Sequence, residues 1–215
     1  MNTILNAEEI RIIGSLIEKE LTTPEYYPLT LNALKNACNQ KSNRNPVVSF
    51  DENLIEQVLN KLRDKSLARR VTGSDIRVPK YKQGFSEEIN LQPDETAVMC
   101  ELMLRGPQTP GELKSRASRM FNFESLSQVN AALVKLINRE QPLVIKLSKQ
   151  TGMKECRFAH LLSGEAELRY PEMREKEIAA LEDDRITKLE EQVLTLRNEF
   201  DLFKNQFEHF RSQLE

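Results

Sequence analysis

Apolar positions recur three and four residues apart in the first patterned stretch, "NAEEIRIIGSLIEKEL", where Ile10, Ile13, Leu16 and Ile17 fall on one side of a helix. Asn6 followed by Glu9 predicts the helix start, because an Asn cap and an acid three residues later satisfy two backbone donors between them. The same spacing returns in "PLTLNALKNACNQ", with Leu31, Leu34 and Cys38 on one face and Thr30 as cap after Pro28. It widens in "SFDENLIEQVLNKLRDKSL", where Leu54, Ile55, Val58, Leu59 and Leu62 form a broader stripe. The period then changes. "LARRVTGSDIRVPKYKQ" carries two β-type runs around a Gly-Ser-Asp turn, a hairpin signal.

Three helices followed by a hairpin is the order of a winged helix, in which the third helix and the hairpin wing are the usual contact surfaces. The order repeats. "DETAVMCELMLRG" matches the first helix with Met99 on Ile13, an offset of 86. "PQTPGELKSRAS" matches "PLTLNALKNACN" at an offset of 79, with Thr109 on Thr30 and Leu113 on Leu34. "LVKLINRE" matches "LNKLRDKS" at an offset of 74, so the second copy has shorter loops. Thr109-Pro110-Gly111-Glu112 is a capping box with Pro at the first helical position. "PLVIKL" and "ECRFAHLL" supply a second hairpin.

The tail follows a different rule. Ile186, Leu189, Val193, Leu196, Phe200, Phe203, Phe207, Phe210 and Leu214 alternate three and four steps apart, a coiled-coil seam. Its four Phe are bulky for a two-stranded coil, so self-association, fold-back on a domain and a different protein partner all fit the seam. In a parallel pair Glu199 would meet Lys204, whereas an antiparallel pair would confront a basic row of Arg197, Lys204 and Arg211. Before the seam, "SGEAELRYPEMREKE" is polar and interrupted by Pro171. The expectation is an α+β chain, mostly α with small β-hairpins. Winged-helix domain 1 spans 1–85, winged-helix domain 2 spans 86–163, a linker spans 164–177 and a coiled-coil tail spans 178–215.

Composition narrows the function. A charged fraction of 30% beside an apolar fraction of 39% argues against global disorder. There is no run of membrane-span length and no signal-peptide pattern at the start, so a cytoplasmic protein without membrane contact is expected. Cys38, Cys100 and Cys156 are odd in number and far apart, which predicts buried free thiols rather than disulfides or zinc. Residues 1–85 hold 13 Lys and Arg against 10 acids, residues 86–165 hold 10 against 10, and residues 166–215 hold 8 against 13. With a pI near 5.9, any nucleic-acid contact must come from a local patch.

Residues 14–48, "GSLIEKELTTPEYYPLTLNALKNACNQKSNRNPVV", resemble the YceH family of bacterial proteins, as do "RGPQTPGEL" (105–113) and "RFAHLLSG" (157–164). The resemblance covers most of residues 5–165 and implies two winged-helix domains with no established biochemical activity. Ser15 stands where the family often has Cys.

No phosphate-binding glycine loop occurs. His160 in "FAHLL" reads as a satisfied hairpin histidine and His209 as a solvated coil residue, while Asp183-Asp184 reads as part of a solvated face. No enzyme activity and no cofactor are expected. DNA binding in a regulatory role is the leading expectation, with a protein-interaction or scaffold module as the alternative. The third helix of the first copy argues against standard groove docking, because Asp51, Glu52 and Glu56 lie near its start. The second copy offers neutral or basic Ser125, Ser127, Gln128 and Lys135. The candidate binding residues are Lys35, Lys41, Arg44, Arg69, Arg70, Arg77, Lys80, Lys82, Arg116 and Arg119, suited to phosphate contacts or to an ordinary solvated surface. Lys41 and Arg44, in the Asn-rich loop "NACNQKSNRNP", are the first place to look for a ligand. The expected partners are duplex DNA, another protein, and further copies of the chain through the tail.

Overall fold

The computed structural model describes residues 4–73, 78–149 and 155–164. The coiled-coil seam from Ile186 to Leu214, the linker but for its first residue, Gly164, and Arg77 at the first hairpin's turn lie outside them. The described chain is α-helical with small antiparallel sheets. Helix α1 (Ala7–Thr22) starts where the capping signal places it: Asn6 Oδ1 accepts from Glu9 N at 2.8 Å, and Glu9 Oε2 accepts from Asn6 N at 3.0 Å. Helices α2 (Leu31–Cys38) and α3 (Glu52–Asp64) follow, capped by Thr30 and Asp51. Among the described residues no helix is long and apolar enough to cross a membrane.

Strands β1 (Leu29–Thr30), β2 (Ala68–Val71) and β3 (Lys80–Gln83) form an antiparallel sheet in the order β1-β3-β2. β1 was not read from the sequence, because two residues beside a proline carry no alternation pattern. Also unread was α4 (Phe85–Glu88), a single turn that buries Phe85 completely. Then come α5 (Pro93–Arg105), α6 (Pro110–Ala117), α7 (Leu126–Ile137), β4 (Val144–Lys146) and β5 (Phe158–His160). β4 pairs β5, and a lone bridge joins Gln108 to Phe158. Gln108 is the counterpart of Leu29 at the offset of 79, so the second copy keeps the position of β1 as one bridge.

The boundary near residue 85 separates sequence copies but does not break the core, since one cluster of buried side chains runs from Leu5 to Leu162. Its centre is the contact between α1 and α5, both buried on nearly every side: Glu9 to Glu18 on one, Glu95 to Leu104 on the other. Gly14 permits their approach, because a Cβ there would sit 2.9 Å from Leu104 Cδ2. Cys100 Sγ donates to Gly14 O at 3.3 Å. Residues 14 and 100 are counterparts at the offset of 86, so matched positions of the copies touch, as a two-fold relation requires.

Gly84 fastens α4 to the base of the hairpin. Its N–H donates to Leu67 O at 2.9 Å, and a Cβ there would lie 2.5 Å from Ser66 O, a backbone atom with little room to yield. Gly84→Ala is therefore expected to lower stability by about 2 kcal/mol through overpacking. Urea unfolding would register a lower midpoint at unchanged slope, and an unshifted midpoint would refute the tight seat.

Candidate nucleic-acid interface

The Asn-rich loop after α2 lies over the joint between the copies. Asn45 N donates to Leu104 O of α5 at 2.9 Å, and Asn43 takes the left-handed conformation (φ 59°) that its short polar side chain tolerates. Arg11 of α1 holds the loop from beneath, donating to Cys38 O at 3.3 Å and Pro46 O at 2.6 Å. Arg44, a leading sequence candidate, points inward. Its side chain and that of Glu18 have no exposed surface, and the two form an ion pair joined by hydrogen bonds from both terminal nitrogens of Arg44. Arg44 also donates to Ala37 O, Asn43 O and Gln40 Oε1. It has neither surface nor free hydrogen-bonding capacity for a phosphate.

The second copy completes this site. Arg119, just past α6, pairs with the same Glu18 carboxylate and reaches Glu101 Oε1 at 3.3 Å. Glu101, also fully buried, pairs with Arg105 Nε at 3.0 Å, and Arg105 donates to Asn43 of the loop. Gln108 Nε2 donates to Glu101 O at 3.0 Å, and Arg116 donates to Gln108 Oε1 at 2.9 Å. Burial works to raise the Glu18 carboxyl, but the Arg44 hydrogen bonds and the charges of Arg44 and Arg119 prevail and hold it below the ordinary carboxylate range. Three of the sequence candidates, Arg44, Arg116 and Arg119, thus converge on one network whose acids, Glu18 and Glu101, went unread. Glu101 is a single charge among apolar neighbours and Glu18 opens the charged run Glu18-Lys19-Glu20, so neither marks burial until its helix is known to be enclosed.

Other candidates face solvent. Lys35 pairs with Glu52 at 2.6 Å, and Lys41 is exposed with no ion-pair partner among the described residues. On the hairpin, Arg69 stands directly across from Lys82, Arg70 from Tyr81 and Val71 from Lys80. Strand alternation places Arg69, Val71, Lys80 and Lys82 on one face, with Tyr81 and Gln83 buried on the other. Arg69 is paired with Glu87 of α4 at 2.6 Å. Arg70, Lys80 and Lys82 have no ion-pair partner among the described residues. Like charges placed directly opposite destabilise a bare hairpin, so the arrangement suits an anionic ligand.

The third helices differ. Glu52, Asn53, Glu56, Gln57 and Asn60 are exposed on α3, whereas α7 exposes Ser127, Gln128, Asn130, Ala131 and Val134 without a formal charge among them. Lys135 at the far end pairs with Asp94 at 3.2 Å. Cys38 and Cys100 are buried, and burial pushes the Cys38 thiol up to about 11 and Cys100 well above its usual range.

Residues 5–153 match the family model described as "Protein of unknown function, DUF480". A UPF0502 protein of Pelobacter propionicus is 50% identical over 221 residues, covering all of both chains. One from Solibacter usitatus is 51% identical over 207 residues, covering 95% of this chain and 98% of the relative. A third, from Koribacter versatilis, is 53% identical over 162 residues, 75% of each. The chain belongs to the DUF480/UPF0502 family. The match spans both copies and the joint between them, so what the UPF0502 chain shares with these relatives is the whole described body and not one module of it.

Two outcomes test this geometry. Arg44→Met in the UPF0502 chain strands Glu18 as a buried charge with only Arg119 beside it. The expected loss is about 3–5 kcal/mol in urea unfolding; unchanged stability would mean that Arg44 is not structural. His160 on β5 is half-buried with Nδ1 enclosed and lacking a hydrogen-bond partner, which replaces the satisfied histidine read from the sequence. Burial pulls its pKa down to about 4. The neutral form is favoured in the fold, so this contribution is intact above about pH 6.5 and is lost as pH falls toward 4. His160→Gln should flatten that part of the stability profile, a change on the order of 2–3 kcal/mol.

Proposed function

We propose that this UPF0502 chain is a tandem winged-helix protein of the YceH type that binds the phosphate backbone of duplex DNA in a regulatory role. The main contact surface is the β2–β3 wing. One observation carries the reading: Arg70, Lys80 and Lys82 are cations without ion-pair partners among the described residues, while Arg69 and Lys82 oppose each other across the strands. Phosphates would relieve that repulsion, and cations released from the DNA would add to the affinity. Contacts of this kind position a duplex without reading its sequence. Arg44, Arg116 and Arg119 have no place in the contact surface, and Lys41 is the one loop cation that stays in it.

The reading assigns no catalysis and no cofactor. The seam residues from Ile186 to Leu214 would assemble copies of the chain, and two weak phosphate-directed modules held together gain effective concentration without new contacts. A protein partner is the second reading, favoured by Leu126 and Val134, which are 49% and 52% exposed on the uncharged face of α7.

Fluorescence anisotropy with a labelled duplex tests the first reading. Affinity should fall steeply with salt, and the triple change Arg70→Gln, Lys80→Gln, Lys82→Gln should weaken it by roughly 30-fold while making the salt slope shallower by about 2–3. Absence of duplex binding at low salt would reject DNA and leave the protein partner as the reading to pursue.

A further inference from the structure

The hairpin carries its own competitor for a phosphate. Arg69 and Lys82 sit opposite each other on the outer face, yet Arg69 Nη1 lies 2.6 Å from Glu87 Oε2, with the two side chains 44% and 58% exposed. Glu87 arrives from outside the strands. It lies on α4, which Gly84 turns back against the base of the hairpin within 2.9 Å of the Leu67 carbonyl. The Glu87 side chain has no other hydrogen-bond or ion-pair partner among the described residues, and Phe85, not Glu87, anchors α4 in the core. A second carboxylate, Glu20 of α1, lies within reach of the charge on Lys82 but is engaged by Gln83 Nε2 at 2.7 Å. Among the described residues, the Arg69 to Glu87 pair is therefore the hairpin's one exchangeable charge contact. A solvent-exposed pair of this kind contributes little to stability, so exchanging its carboxylate for a stronger anion costs the fold little.

We propose that Glu87 occupies the position of a DNA phosphate on Arg69 and is displaced when the wing engages the backbone, setting the affinity below what four free cations would give. This rests on the wing being a DNA-contact surface. The carboxylate leaves Arg69 unavailable in the free protein, so each encounter must exchange one anion for another. The internal ion also cancels part of the like-charge repulsion between Arg69 and Lys82 while DNA is absent.

The experiment is a double-mutant cycle on the full chain, with duplex affinity read by anisotropy over a salt series and folding checked by thermal melting. Glu87→Gln is expected to tighten binding by about 3–10-fold and to steepen the salt slope by about 0.9, the value for one added phosphate contact. In an Arg69→Gln background the same change should alter affinity by less than about twofold. Equal tightening in both backgrounds would mean that Glu87 acts only through net charge and would overturn the competitor role. No tightening by Glu87→Gln, in a wild-type protein that binds and loses affinity on Arg70→Gln, would overturn it while sparing the DNA reading. Failure of every variant to bind duplex at low salt would overturn both.

Discussion

A carboxylate enclosed between guanidiniums from opposite halves of the molecule is the constraint on which the rest depends. Glu18 lies in the middle of the α1 and α5 contact, where an unpaired charge would cost several kcal/mol. Arg44 meets that charge only if the loop after α2 folds over the joint, and the loop folds there because Arg11 and Asn45 tie its backbone to α1 and α5. Arg119 meets it only if α6 ends at the same place. The second half thus supplies a cation, Arg119, to a buried acid of the first. The two sequence copies consequently share a single core.

This constraint divides the basic residues into two populations that composition cannot tell apart. Arg44, Arg105, Arg116 and Arg119 are spent on acids and carbonyls at the joint. Arg70, Lys80 and Lys82 are left on the β2–β3 hairpin. The strand register gathers Lys80 and Lys82 with Arg69 on one face, while Tyr81 and Gln83 fill the other, which Arg70 shares. A surface that holds unpaired like charges in register is under electrostatic tension. Glu87 relieves part of it within the chain.

Local sequence signals were enough to find the caps of α1, α2 and α6, because a cap is a contact between residues three apart. Hydrophobic spacing and the match between the copies were enough to find six helices and two hairpins. What went unread is long-range. The placement of Arg44 depends on a carboxylate 26 residues earlier in the chain, and that of Arg119 on the same group 101 residues away. The loop "NACNQKSNRNP" is richer in Asn, Lys and Arg than helix capping requires. The excess proved to be a structural clamp: Asn43 and Asn45 bond α5, and Arg44 bonds α1.

The two-fold relation of the copies stops at the surface. In the first hairpin the paired positions are Arg69 with Lys82 and Val71 with Lys80; in the second they are Val144 with His160, Ile145 with Ala159 and Lys146 with Phe158. Among the paired positions of the second hairpin only Lys146 is a fixed charge, and the hairpin encloses a histidine that burial keeps neutral. The third helices differ as well: α3 exposes charges of both signs, with Glu52 and Glu56 toward its start, while Lys135 is the one charge that α7 exposes. At the core the copies meet directly: Cys100 touches its counterpart Gly14, and the missing side chain at Gly14 leaves the room that Leu104 and Met103 fill. Surface positions carried no such coupling. One shared core thus presents two different surfaces, a hairpin with unpaired cations at β2–β3 and a helix face on α7 made mainly of neutral residues.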